Sequence, residues 1–149
     1  MRCWAIDVDE NALRLTRDLA RLNGLDGFVS LAHSLDNVLD GVDGEGPFLL
    51  ICDVEGAELE LIDPVARPCL RACDMLIEVH VDNFGVSPTR ELERRFSDTH
   101  RGEWIPVRPR TADDAAAARW CRDQTFLLNA VDERRSRSIG WLVLHRRPA

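Results

Sequence analysis

The residues in this chain best suited to do chemistry cluster in its middle. Asp53, Glu55 and Glu58 lie in the run Phe48 to Ile62, FLLICDVEGAELELI, and His80 lies in the run Asp74 to Asp82, DMLIEVHVD. An imidazole takes up and returns a proton near neutral pH, so His80 is a candidate general base for a hydroxyl whose oxygen attacks carbon. Carboxylates around such a base contact the substrate, attract a cationic cofactor or hold a cation. Glu78, His80 and Asp82 alternate and therefore share one face of a strand. A divalent ion held there, with Asp53 completing a hydrolytic site, is an alternative to base catalysis. Each residue also has a plain structural reading. Acids in the first turn of a helix stabilise it by about 0.3–1 kcal/mol through the helix dipole, which accounts for Glu55 and Glu58 without any function. A histidine at a strand end is commonly a packed side chain.

These residues need elements to position them. The apolar run into Asp53 reads as a buried parallel strand with both faces covered, and ligands of open α/β sheets bind beyond the carboxyl ends of such strands. The helix after Gly56 should stop before Pro64, and Pro68 interrupts the segment beyond it. Met75 to Val81 is the next strand. Neighbouring strands about 4.8 Å apart would bring Asp53 and His80 to the same rim.

The flanking segments extend the pattern. Arg2 to Ile6 reads as a strand ending at Asp7, and Asp9 caps a helix whose apolar stripe is Ala12, Leu15, Leu19 and Leu22. Asn23 and Gly24 close that helix. Phe28 to Ala32 is a strand and Ser34 to Asp40 a short helix. Gly41, Gly44 and Gly46 precede a strand and alternate with Asp43 and Glu45, so they form a solvent loop and not a phosphate cradle. Ser87 and Pro88 start a helix through about Phe96. Trp104 to Val107 is a strand ending at Pro109, and a further helix starts at Ala112. The apolar patch Phe126 to Val131 is either that helix's end or a separate piece. Ile139 to Leu144 is the last strand. The expected class is α/β, with a Rossmann-like, mostly parallel sheet, flanking helices and an antiparallel last strand, as one domain over residues 1–149.

Composition narrows the function. With 149 residues and 45% hydrophobic content the chain can build one core. It shows no apolar run of membrane-spanning length and no secretory leader, so the expectation is a cytoplasmic protein without a membrane partner. The net charge of −7 argues against nucleic acid, although Arg134, Arg135 and Arg137 suit a local anion contact. All 19 basic residues are arginine, which removes Schiff-base chemistry and a P-loop lysine. Cys3, Cys52, Cys69, Cys73 and Cys121 include no CxxC pair and read as mostly buried thiols. His33, His100 and His145 have no setting comparable to that of His80.

DVEGAE, the acidic-apolar helix after it, and IEVH resemble the FkbM-like branch of class I S-adenosylmethionine-dependent methyltransferases. The resemblance extends through WAIDVDENALRLTRDLARLNGL, RFSDTH at Arg95 to His100, and DERRSRSIGWLVL. It implies S-adenosylmethionine as cofactor and methyl transfer to the hydroxyl of a sugar or small molecule. Asp7 would then hold the ribose, as the acid after the second strand of such folds does, although a helix cap explains it equally well. Ser34 would lie near the adenine end and Asp53 beside the methyl donor. His80 and Glu55 would be catalytic, with Glu58 and Glu78 toward the substrate; no metal is implied. The family begins with a strand and a GxGxG loop, and no such segment precedes Arg2. The chain is therefore expected to be truncated, to lack the first central strand and to bind the cofactor poorly. Two apolar edges would face the gap, so a homodimer or a partner chain completing the sheet is expected. A non-catalytic interaction module is the alternative from another class.

Overall fold

The computed structural model describes residues 2–42, 46–80, 87–108, 123, 125, 126, 129 and 139–148. Strand β1 spans Cys3–Ile6. Helix α1 follows at Glu10–Leu22, started by the Asp9 carboxylate, which accepts the Asn11 N–H at 2.8 Å. It ends at Asn23, and Gly24 takes a left-handed φ of 67°, a conformation that glycine adopts at little cost. Next come β2 at Val29–Ala32, α2 at Leu35–Val42 and β3 at Leu49–Cys52. Helix α3 is a single turn, Glu58–Leu61, stopped before Pro64 as expected. A 3-10 turn at Pro68–Ala72 leads into β4, Asp74–Val79. Helix α4 spans Pro88–Arg95, with Ser87 as its cap and Pro88 in its first turn. Two strands complete the described elements, β5 at His100–Pro106 and β6 at Gly140–Arg146.

The described strands form a mixed α/β arrangement of two sheets. β1 pairs with β2 in parallel, and the second sheet runs in the order β3-β4-β6-β5. Within it β3 and β4 are parallel, while β6 runs antiparallel to both β4 and β5. Alternation along β4 sends Met75, Ile77 and Val79 into the core, and Leu142 and Leu144 on β6 join them. Leu92 and Phe96 from the α4 end, Ile62, Leu70, and Leu35 and Leu39 of α2 cover that face. A fully buried side chain of this size contributes roughly 1.5–3 kcal/mol, so this layer is what fixes the end of β4.

Three expectations are corrected. β3 is not covered on both faces: Leu50 and Cys52 face the core, but Leu49 and Ile51 are 60% and 61% exposed. The α1 stripe is not a core face, because Leu13 and Ala20 are buried while Leu15, Leu19 and Leu22 are exposed. β5 begins at His100 and not at Trp104. Its first residues, Arg101, Gly102 and Glu103, carry no apolar signal, and pairing with β6 decides their conformation. The helix expected from Ala112, the loop acids Asp43 and Glu45, Asp82, Cys121 and the Arg134, Arg135 and Arg137 group lie outside the described residues. Among the described residues, no helix is long and apolar enough to cross a membrane.

Candidate functional site

The site is built by one tight reversal after β3. Asp53 follows the strand directly and is exposed. The backbone then enters left-handed space twice, at Glu55 with φ 51° and at Gly56 with φ 106°. Gly56 has open space where a Cβ would stand, so its φ and not crowding calls for glycine. This turn delivers the chain to α3, whose first residue is Glu58.

Glu58 is only 1% exposed, and a carboxylate so covered must be compensated by hydrogen bonds. Its Oε1 accepts the Gly56 N–H at 3.1 Å and lies 2.6 Å from His80 Nδ1. The single turn that carries it is held from behind by two arginines. Arg67 donates to the Glu60 and Leu61 carbonyls at 3.2 and 3.1 Å and ion-pairs with Asp36 of α2 at 2.6 Å. Arg95 of α4 donates to the Leu59 and Ile62 carbonyls and to Glu91. Carbonyls at a helix end have no partner within the helix, so these guanidiniums supply what a one-turn helix lacks.

His80 stands just past β4 with its side chain 14% exposed. A carboxylate can only accept, so Nδ1 donates to Glu58. The other nitrogen, Nε2, faces outward and lies 3.3 Å from Oε2 of the exposed Glu55. Asp53, Glu55 and His80 each present one ligand-type atom, all within 4.8 Å of one another. The strand-end rim inferred from the sequence therefore brings Asp53 and His80 together, and the turn adds Glu55. Beneath the rim, burial pushes the Cys52 thiol up to about 12, reinforced by the charges of Glu58 and Asp53. Cys52 stays a neutral thiol and is no nucleophile.

The remaining candidates sit elsewhere. Glu78, two residues before His80, is 1% exposed, which separates it from the open carboxylates of the rim. Asp7 follows β1 and accepts the Asp9 N–H at 2.8 Å. Ser34 follows β2, and its hydroxyl accepts the Asn37 N–H at 3.3 Å, a cap for α2. His100 is buried. Its Nε2 donates to the Cys73 carbonyl at 2.8 Å, its Nδ1 meets the Thr99 hydroxyl at 2.8 Å, and its ring stands edge-on to Phe96. That network occupies both nitrogens. Cys3 is exposed, unlike the buried Cys52 and Cys73. Sequence reasoning missed Arg67 and Arg95, because side-chain contacts to helix-end carbonyls, six and seven residues back for Arg67 and 33 and 36 back for Arg95, leave no pattern of residue types. Surface depressions of about 370 and 430 Å³ lie away from the rim, beside Arg17 and Asp26 and beside Asp63 and Arg71.

No family model matches the chain, and no curated protein does.

Proposed function

We propose that this chain is a methyltransferase-like domain of Rossmann-like type in which His80 acts as the base for O-methyl transfer. The observation that carries the reading is the Glu58–His80 pair at the carboxyl end of parallel strands, with Nδ1 tied down and Nε2 directed at the open rim. S-adenosylmethionine, when bound, supplies a methyl group on a cationic sulfur. The residues suit it: Asp53 and Glu55 are exposed carboxylates with charge opposite to a sulfonium. Transfer of that methyl group to an acceptor oxygen would release the hydroxyl proton, and Nε2 of His80 is the atom that would take it up. The imidazolium then lies between Glu58 and Glu55, both within reach of its N–H groups. Glu58 is the positioning residue in this scheme, because it holds the tautomer with its lone pair at Nε2. Asp7 and Ser34 are assigned to the ribose and adenine ends of the cofactor, and the acceptor is a small-molecule or sugar hydroxyl in the cytoplasm.

Thermal unfolding with and without S-adenosylhomocysteine tests the cofactor assignment. A ligand at about a hundred times its dissociation constant adds roughly 2.7 kcal/mol, several degrees for a domain of this size. A shift that disappears in Asp7→Ala supports the reading. No shift at saturating ligand removes the cofactor from this chain.

A second reading is favoured by a separate observation. Among the described residues β1 pairs only with β2, and β3 only with β4. Trp4, Ile6, Leu49 and Ile51 are exposed on these two strands. Such open edges invite an added strand, which suits a non-catalytic module that dimerises or takes a strand from a partner chain.

A further inference from the structure

We propose that Asp53, Glu55 and His80 bind one divalent cation of the manganese(II) class, with Glu58 orienting the imidazole for it. The spacing suits an ion. Ligands held about 2.1 Å from an octahedral ion lie about 3 Å apart when adjacent, and His80 Nε2 and Glu55 Oε2 are 3.3 Å apart. The third ligand atom, from Asp53, lies within 4.8 Å of both. Rotation of the exposed Glu55 and Asp53 side chains closes that distance without moving the core.

Glu58, which is buried and outside the ligand set, points the same way. Metal-binding histidines characteristically donate their other ring N–H to a carboxylate, which fixes the tautomer and raises the basicity of the ligating nitrogen. Glu58 makes that contact at 2.6 Å. It leaves Nε2 with a lone pair facing the lone pairs of Glu55.

Charge at the rim is also left uncompensated. Among the described residues, no arginine ion-pairs with Asp53, Glu55 or Glu58, and the ring that Glu55 and Glu58 both meet is the neutral imidazole of His80. Arg67 and Arg95 are turned to Asp36 and Glu91. A proton on Nε2 would satisfy Glu55 alone, whereas a divalent ion serves all three outer ligands together. Two oxygens and one imidazole nitrogen match a borderline-hard ion that keeps water or a substrate hydroxyl in its open positions. In the loaded state Nε2 is a ligand, and a hydroxyl on the ion is acidified by the ion itself. Such a site does not depend on methyl transfer being the reaction.

The test is a titration of the full chain with Mn2+, followed by loss of the free-ion electron paramagnetic resonance signal and by the unfolding midpoint, with no methyl donor present. The expected result is saturable binding of one ion per chain with a raised midpoint. Asp53→Asn, at an exposed position, should weaken binding by more than about tenfold while leaving the metal-free midpoint unchanged. Glu58→Gln, which alters the carboxylate that orients the imidazole, should weaken it by about 10–100-fold. Absence of saturable binding at millimolar Mn2+, or equal binding by Asp53→Asn, overturns the site. Binding without any response to S-adenosylhomocysteine would sink the cofactor assignment and leave the metal site standing.

Discussion

Glu58 Oε1 and His80 Nδ1 lie 2.6 Å apart although 22 residues separate them in the chain. The carboxylate is buried and the imidazole nearly so, so each depends on the other for compensation. Glu58→Ala should lower stability by about 1–3 kcal/mol, the cost of a buried donor left without its acceptor. Glu58→Gln, which keeps an acceptor oxygen, should cost less. The urea midpoint at unchanged slope measures both. A Glu58→Ala midpoint equal to that of the parent would mean the contact carries no stability.

Glu55 holds φ at 51°, where a residue with a Cβ pays about 1–2 kcal/mol. Glu55→Gly should therefore lose no stability and gain up to about 1 kcal/mol, offset by the greater freedom of glycine in the unfolded chain. Nε2 loses its neighbour in the same variant, so activity at the rim should fall while the unfolding midpoint holds or rises. A variant that is both active and more stable would show that Glu55 has no role at the site.

Glu91 receives hydrogen bonds from Arg94 and Arg95, which hold its carboxyl down to about 2 from an ordinary 4.5. A carboxyl with a lowered folded pKa adds stability that is complete above its unfolded pKa and disappears as pH falls through the folded value. Stability should thus decline between about pH 4.5 and pH 2. Asp36, lowered by its bond to Arg67, acts in the same direction. Acid titration of the unfolding midpoint should show a shallower decline in Glu91→Gln. An unchanged slope would assign the acid sensitivity to other carboxylates.

Ile51 is exposed on the open side of β3. Charge on an edge strand opposes the addition of another strand. If the edge mediates association, Ile51→Lys should abolish any rise of light-scattering mass with concentration while preserving the fold. Persistence of that rise would move the interface elsewhere, for instance to the exposed Leu15, Leu19 and Leu22 stripe of α1.

Much of the local structure was legible in the residues themselves. Asp9 and Ser87 begin helices, Gly24 closes one, Pro64 limits another, and the apolar run of β4 ends at its histidine. Caps and turns depend on hydrogen bonds within a few residues, so their types announce them. The strand-end positions of Asp53 and His80 followed from the same local signals. Tertiary structure alone decided the rest. Glu58 reads as an ordinary first-turn acid until α3 folds over His80, and the end of the turn that carries it is held by Arg67 and Arg95 from later segments. Leu15 and Ile51 have the spacing of core residues, yet they are exposed because no described element covers their faces. His100 looks like a spare titratable group until Cys73 and Thr99 occupy its nitrogens. Burial and cross-chain pairing are properties of what packs against a residue, and the residue's own neighbours in sequence do not encode them.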